Sequence, residues 1–320
     1  MEKTVFVIDI KSDEAVTDFF MAKTCNIKTG KDGRDYLDII LGDKTGEINS
    51  KKWNISPDEK LALSRIHPRD LVKIKGITKS WNGQLQMDIQ RIRPAEEADN
   101  LNISDYIKAA PEKPQDMYDH IYGIAEKIED QELRLLATTI MERNKQELLY
   151  WPAAARNHHA EYAGLLYHMR RMLDAGMALC EVYPSLDSDL IATGVIIHDM
   201  EKIREIDSDE SGVADGYFVE GQMLGHLVQG VCAIGKLGEE LRIDQEKILM
   251  LQHMVLSHHY EPEFGSPKKP MFLEAEVLHY LDIMDARIFD MEEALAALEG
   301  GEVSEKIFPL DNRRVYKRKF

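Results

Sequence analysis

The chain has 320 residues, of which 44% are hydrophobic and 30% charged, a balance that excludes wholesale disorder, collagen-like repeats and a disulfide scaffold. Its length favours two domains over one. No apolar run reaches the roughly 18 residues of a membrane span, so we expect a protein that is neither exported nor anchored. The cysteines Cys25, Cys180 and Cys232 are far apart and form no CxxC pair, which predicts reduced thiols in a cytoplasmic protein and excludes a zinc ribbon.

The net charge of −17, taken alone, argues against binding to nucleic acid through bulk positive potential. The charge is unevenly distributed, because residues 1–98 hold 17 basic and 16 acidic side chains, whereas the other 222 residues hold 23 basic and 41 acidic ones. The acidity therefore belongs to the second part only. A basic C-terminal segment, residues 301–320 with the run RRVYKRK, is either a contact for polyanions or a solvated end, and composition does not decide between them.

Residues 1–95 have the alternation of short strands and predict a small all-β barrel of about five strands. The clearest segments are YLDIIL, EINSKKW, DLVKIKGITKS and QLQMDIQRIR. Asn82-Gly83 lies between the last two and is a strong hairpin signal, because both turn positions favour positive φ.

One face of this barrel carries the pattern of a surface that binds single-stranded nucleic acid. Val72 and Ile74 alternate with lysines, so one side of the strand packs inward while the other presents ammonium groups. The candidate binding residues are Tyr36, Trp53, Lys73, Lys75, Trp81 and Arg91. Aromatic rings that stack on bases and cations that follow the phosphates are typical of such surfaces. Aromatic residues in the barrel core and lysines that only keep the edges soluble would produce the same pattern, and the sequence leaves both open.

Residues 96–115 contain two prolines and several acids and are interpreted as a linker. The residues that follow, 116–300, show helical spacing almost throughout, beginning with Met117, Ile121 and Ile124. We therefore predict a multidomain protein in which the all-β barrel is followed by an all-α bundle.

The histidines indicate where the chemistry lies, because nine of the eleven fall between residues 158 and 279. A lone histidine on an apolar helix is usually a core residue, but several of these end their helices, and His198 is followed directly by Asp199. Imidazoles and carboxylates brought together from several helices form a mixed nitrogen and oxygen site, which suits Mn, Fe, Zn or Mg better than a metal that prefers thiolates. Such a site can hold one ion or two.

The order of His168, the doublet His198-Asp199 and a late Asp282 resembles the HD-domain superfamily of metal-dependent phosphohydrolases. More closely, the segments HHAEYAGLLYH, LIATGVIIHDMEKIREI, GQMLGHLVQGV, HMVLSHHYEPEFGSPKKP, EAEVLHYLDIMDA and IFPLDNRRVYK are similar to the YhaM family of 3'–5' exoribonucleases. That family places an OB-fold before its HD domain, so the resemblance implies an OB-fold for residues 1–95 and an HD domain for residues 116–300. One departure is Glu201, which stands where the family usually has glycine beside the metal doublet.

The resemblance implies His168, His198, Asp199 and Asp282 around one divalent metal ion. Asp199 would bridge to a second ion held by His226 and His258, with His253 or His259 as replacements for His258. Mn²⁺ is our first choice, and Zn, Fe, Co and Mg stay open. Asp199 and Lys202 are the candidate catalytic residues, Lys202 either as a contact for phosphate or as the partner of a nearby acid.

The predicted function is hydrolysis of single-stranded RNA from its 3' end to nucleoside 5'-monophosphates. Single-stranded DNA is a second candidate substrate. Lys268 and Lys269 are expected to contact the strand, although a solvated loop is the alternative. One rival is an HD phosphohydrolase of a nucleotide or cyclic dinucleotide, and another is a single-strand-binding protein whose catalytic site has lapsed. A homo-oligomer is a further possibility, because the helix at 131–149 could pair with another subunit.

Overall fold

A computed structural model describes residues 3–30, 33–81, 84–155, 159–296 and 298–320. The chain divides into two compact units, residues 1–109 and 110–320. The division falls inside the segment that the sequence predicts as a linker. The predicted Asn82-Gly83 turn lies outside the described residues.

The first unit is a closed five-stranded barrel with strand order β1-β2-β3-β5-β4. Among the described strands of this barrel, β3 and β5 pair in parallel and the other neighbours pair antiparallel. Its elements are β1 (Ala15–Thr29), β2 (Asp35–Asp43), β3 (Gly46–Lys52), α1 (Pro57–Leu63), β4 (Leu71–Trp81) and β5 (Gln84–Pro94). This confirms the predicted barrel, which has the five-stranded architecture of an OB-fold. The long strand β1 has no counterpart among the segments identified from the sequence.

The barrel closes around one apolar core because alternate strand residues point inward. Leu37, Ile39 and Leu41 of β2 and Val72 and Ile74 of β4 are all buried. Each such side chain contributes about 1.5–3 kcal/mol on burial. The predicted alternation in β4 is therefore confirmed, with its lysines on the outer face.

Residues 96–109 pack as part of the barrel unit. Arg93 makes two hydrogen bonds of 2.8 Å to the Asp99 carboxylate, and Lys44 makes one of 3.0 Å to Asp105. Tyr106 is 1% exposed. These residues are therefore a folded extension of the barrel, and the bundle begins after them.

The second unit is a helical bundle around one apolar core. Its helices are α2 (Pro114–Ala125), α3 (Gln131–Arg143), α4 (Lys145–Leu148), α5 (Gly164–Val182), α6 (Ser188–Ile197), α7 (Lys202–Glu205), α8 (Val219–Leu241), α9 (Gln245–Ser257) and α10 (Leu273–Ala296). Helix α6 is central, because every residue from Leu190 to Ile197 is buried. His198 and Asp199, which directly follow α6, therefore lie in the interior of the unit.

Three further features complete this unit. The acidic stretch after α7 forms a hairpin of β6 (Ile206–Ser208) and β7 (Ala214–Tyr217). Helix α8 is kinked at Gly225, whose φ of 68° favours glycine. The basic C-terminal segment folds back on itself through an antiparallel bridge between Val303 and Tyr316.

Within the described ranges, no helix combines the length and apolar character that crossing a membrane requires.

Candidate metal centre and nucleic-acid-binding surface

Five helices bring imidazoles and carboxylates together inside the second unit. The contributing residues are His168 of α5, His198 and Asp199 at the end of α6, His226 after the kink of α8, His258 and His259 at the end of α9, and Asp282 of α10. Their ligand atoms form two groups, each with all atoms within 4.8 Å of one another. His168, His198 and Asp282 make one group, and Asp199, His226, His258 and His259 make the other.

Asp199 lies between the two groups and turns one carboxylate oxygen toward each. Its Oδ2 is 3.3 Å from His198 Nε2 and 3.8 Å from His168 Nε2. Its Oδ1 is 3.3 Å from His226 Nε2 and 3.7 Å from His258 Nε2. This is the arrangement of a carboxylate that can bridge two cations.

The histidines all direct the same nitrogen into the cluster, because their Nδ1 atoms are engaged elsewhere. The Nδ1–H groups of His198, His258 and His259 donate to backbone carbonyls of Val195, Val255 and Phe264 at 2.7–2.8 Å. A carbonyl oxygen only accepts hydrogen bonds, so each of these Nδ1 atoms carries the proton and each Nε2 keeps its lone pair. Fixing the tautomer through the second ring nitrogen is the usual preparation of a metal-binding histidine.

Several of the converging atoms are buried without a hydrogen bond. They include Nε2 of His198, His226 and His258 and Oδ1 of Asp199. An unsatisfied buried polar atom costs about 1–3 kcal/mol, and four of them in one cluster would be expensive in a purely structural core. A divalent cation bound by these atoms would offset that cost, so the residues present fit a metal ion.

The charge states of Asp199 and His258 suit a cation. Although burial raises it, the neighbouring Lys202 and His198 hold the pKa of Asp199 well below its usual range. Burial, together with the neighbouring His259, holds the pKa of His258 well below its usual range. An ionised carboxylate and a neutral imidazole are the forms that bind metals.

Lys202 is buried, and its Nζ lies 2.6 Å from Asp199 Oδ2. Of the two alternatives for Lys202, the structure therefore shows the pairing with an acid. Although burial lowers it, Asp199 and Asp282 raise the pKa of Lys202 above its ordinary value, so the ammonium is charged at neutral pH.

His253 and Glu201 lie apart from the cluster. His253 Nε2 accepts a hydrogen bond of 3.1 Å from the backbone N–H of Met271. Glu201 lies 3.4 Å from Arg204, and burial raises its pKa. The charges that also act on this pKa are those of Arg204, Glu220 and Lys236, none of which belongs to the cluster. The carboxylate that replaces the family's glycine is therefore not directed at the metal-binding atoms.

The structure also shows contacts that the sequence analysis did not identify. His259 joins the second group beside His258 instead of replacing it. The Nδ1 atoms of His168 and His226 contact the carboxylates of Asp285 and Glu205 at 2.7 and 2.6 Å. The spacing of Asp282 and Asp285 along one helical face was a signal for Asp285, whereas nothing in the sequence distinguishes Glu205.

On the barrel, Tyr36 and Trp53 stack with ring centroids 4.8 Å apart, and Trp53 is 47% exposed. They are therefore not core residues, which removes the alternative interpretation of this pair. Lys51 lies over both rings at 5.6 and 5.3 Å. The backbone of Trp81 ends β4, and its side chain lies outside the described part of the chain.

A cavity of about 410 Å³ lies beside these strands, with Lys52, Lys73, Lys75, Arg91 and Arg93 among its lining residues. Lys52 pairs with Glu59 at 3.0 Å and Arg93 with Asp99, whereas Lys73 lies 5.0 Å from the ring centre of Phe19. Lys75 and Arg91 are exposed. The predicted cations therefore line one basic groove.

The two lysines predicted near the metal site differ in their surroundings. Lys269 lies 3.5 Å from Glu261 and 4.2 Å from the ring centre of Tyr260. Lys268 is exposed. Lys269 is therefore engaged with its own loop.

The family comparisons agree with this geometry. The family model described as "HD domain" matches residues 165–287, which include all seven residues of the cluster. The fold and the site therefore define a hydrolase with an HD domain, a class that uses a divalent metal ion. The chain is also 39% identical over 308 residues, covering 96% of its own length and 94% of the relative, to "3'-5' exoribonuclease YhaM" from Shouchella clausii (strain KSM-K16). The chain belongs to the YhaM family of 3'–5' exoribonucleases, as its motifs predict.

Solved structures similar to part of the chain include the second OB-fold domain of replication protein A from Methanococcus maripaludis. It shares 18% identity, covers 29% of this chain and 94% of that one, and has a TM-score of 0.23. Another is the SSB domain of a Synechococcus sp. protein, with 9% identity, coverage of 27% and 97%, and a TM-score of 0.22.

Proposed function

We propose that this protein shortens single-stranded RNA from its 3' end and releases nucleoside 5'-monophosphates, with single-stranded DNA as a second substrate. The observation that carries the proposal is the position of Asp199, which turns one oxygen toward each of two groups of buried ligand atoms. Cleavage of a phosphodiester by paired metal ions needs this kind of site. Membership of the YhaM family supports RNA as the substrate and degradation from the 3' end.

In this proposal, His168, His198, Asp199 and Asp282 hold one divalent ion, and Asp199, His226, His258 and His259 hold a second. Mn²⁺ is our first choice, because mixed imidazole and carboxylate donors suit it. When bound, the metal would supply a water molecule of lowered pKa and stabilise charge on the phosphate.

The protein's own residues prepare the site for an anionic substrate. Lys202 keeps a positive charge against Asp199 Oδ2 and so reduces the repulsion between the carboxylates and an incoming phosphate. The imidazoles of His198 and His258 are both under 2% exposed, so they are held in the interior of the unit. Lys268 is proposed as a contact for the strand. The three cysteines, which form no disulfide, support a cytoplasmic location. Pairing of subunits through residues 131–149, which form α3 and α4, stays a prediction.

The test is digestion of a 5'-labelled single-stranded RNA by the purified full chain with Mn²⁺. We expect a ladder of shortened labelled products and release of nucleoside 5'-monophosphates. A phosphate on the 3' end or a double-stranded 3' end should slow the ladder. Intact RNA together with hydrolysis of free nucleotides or cyclic dinucleotides would support the rival phosphohydrolase and contradict the proposal.

We further propose that the stacked pair of the barrel binds bases of the RNA. Replacing both Tyr36 and Trp53 by alanine should weaken binding to single-stranded RNA by about 1–3 kcal/mol for each base that loses its stacking partner. Fluorescence anisotropy with a labelled oligonucleotide measures this change. Tyr183→Ala is the control, because Tyr183 is also exposed, at 56%, but lies outside the barrel. Equal affinities of the double variant and the control would contradict the assignment.

The basic groove should act through phosphate neutralisation. Lys75→Gln and Arg91→Gln should each reduce the slope of log affinity against log salt by about 0.7, the value for one contact with a single strand. Binding curves at several salt concentrations give the slope. Lys11→Gln removes an exposed charge elsewhere on the barrel unit and should leave the slope unchanged. Parallel loss in all three variants would show a general charge effect instead of a groove.

A further inference from the structure

Two carboxylates, the buried Asp285 and the partly buried Glu205, each contact the Nδ1 atom of one histidine in the two ligand groups. Asp285 Oδ2 accepts a hydrogen bond from His168 Nδ1 at 2.7 Å, and Glu205 Oε2 accepts one from His226 Nδ1 at 2.6 Å. His168 belongs to the first ligand group and His226 to the second. Each group therefore contains one histidine backed by a carboxylate.

The other histidines of the cluster are held differently. The Nδ1–H groups of His198, His258 and His259 donate to neutral backbone carbonyls. A carboxylate makes a stronger, charge-assisted hydrogen bond than a carbonyl does and gives the opposite ring nitrogen more electron density. His168 and His226 should accordingly be the strongest imidazole donors of their groups.

Asp285 is itself firmly held. It is 4% exposed, and its Oδ2 also contacts His159 Nε2 at 2.8 Å, while its Oδ1 lies 2.6 Å from Arg171 Nε. Arg171 continues to Glu292 at 2.9 Å. The carboxylate is thus fixed by three donors and has little freedom to rotate, so the ring plane of His168 is fixed with it.

The backbone of Glu205 also has a defined position. It ends α7, and its backbone carbonyl accepts a hydrogen bond from Phe218 N at 3.0 Å. A Cβ added to Gly221 would lie 2.5 Å from this same carbonyl oxygen, so the first turn of α8 packs directly against Glu205. These contacts therefore link the end of α7 to the first turn of α8 and to His226.

We propose that Asp285 and Glu205 are positioning residues, one for each metal position, which fix the protonated Nδ1 form of His168 and His226 and raise the affinity of Nε2 for a divalent cation. The inference rests on the proposed function, because it assigns roles around the same two ligand groups. Neither carboxylate is expected to contact the substrate.

The test measures Mn²⁺ binding to the full chain by isothermal titration calorimetry, with the number of bound ions from elemental analysis. Asp285→Asn and Glu205→Gln keep the shape of the side chain but offer an amide in place of a charged acceptor. Each should weaken one binding step by about 10- to 100-fold and leave the other step nearly unchanged. Glu292→Gln, which alters the far side of Arg171 without touching an imidazole, is the matched control.

A second measurement does not depend on how the variants fold. Nitrogen-15 NMR of the histidine rings in the metal-free wild-type protein should show His168 and His226 protonated at Nδ1. Protonation at Nε2 alone would overturn the proposal, as would variants that bind Mn²⁺ with wild-type affinity at both steps. If the wild-type protein binds no divalent ion and leaves RNA intact, the proposed function fails. If it binds ions and degrades RNA while both variants are unaffected, only the present inference fails.

Discussion

Replacing Asp199 by asparagine should lower kcat/KM for single-stranded RNA by at least about 10³-fold, which corresponds to about 4 kcal/mol of transition-state stabilisation. The two oxygens of Asp199 face the two ligand groups, one oxygen each, so its loss affects both metal positions together. The asparagine also leaves Lys202 buried beside a neutral amide instead of a carboxylate. Initial rates with labelled RNA and saturating Mn²⁺ measure the effect.

Asp116→Asn is the control for this substitution, because Asp116 is an exposed acid in the first turn of α2 and has the same size. Its activity should match that of the wild-type protein. Circular dichroism and melting of the metal-free Asp199 variant should establish that it is folded. An Asp199 variant that is folded and retains more than a tenth of the wild-type activity would contradict the assignment of this carboxylate to the reacting centre.

The second large effect is expected on adding and removing the metal. Chelation with EDTA should abolish RNA degradation, and Mn²⁺ should restore it. Mn²⁺ at 1,000 times its Kd should also stabilise the folded second unit by about 4 kcal/mol, because the ion binds the folded chain and not the scattered ligands of the unfolded one. Differential scanning calorimetry with and without Mn²⁺ measures the rise in Tm.

The same calorimetric comparison distinguishes binding at a specific site from general binding of Mn²⁺ to an acidic protein. The chain carries a net charge of −17, so divalent ions also associate loosely with its surface. The Asp199→Asn variant keeps nearly all of that surface charge and should lose most of the increase in Tm. An equal increase in wild type and variant would show that the stabilisation does not come from the buried cluster.

The sequence predicts the two architectures because their hydrophobic periods differ. In β4, the alternation of Val72 and Ile74 with lysines has the period of a strand with one buried face, and the structure shows this arrangement. Strand β1 is not predicted by this alternation, because five successive residues are all buried: Asp18, Phe19, Phe20, Met21 and Ala22. A strand covered on both faces has no alternation, and this one also contains a bulge between Ala22 and Thr24.

The order of histidines and aspartates along the chain predicts most members of the ligand groups, but it does not show which of them meet in space. The pair at 258 and 259 left the choice of histidine open, since neighbouring residues on a helix normally point about 100° apart. Both join one group because α9 ends at Ser257, so the chain is no longer helical at His259. The contacts of Glu205 and Asp285 join positions 21 and 117 residues apart, and no local spacing indicates such pairs.

The two histidines that end α6 and α9 are C-cap residues of the same design. His198 and His258 each donate a hydrogen bond to the carbonyl three residues earlier, which satisfies an acceptor that the end of a helix leaves open. Both helices therefore direct their negative dipole ends, each equivalent to about half an elementary charge, toward the same small volume. This field attracts a cation before any side chain moves. Loading of the centre should consequently require little reorganisation of the backbone.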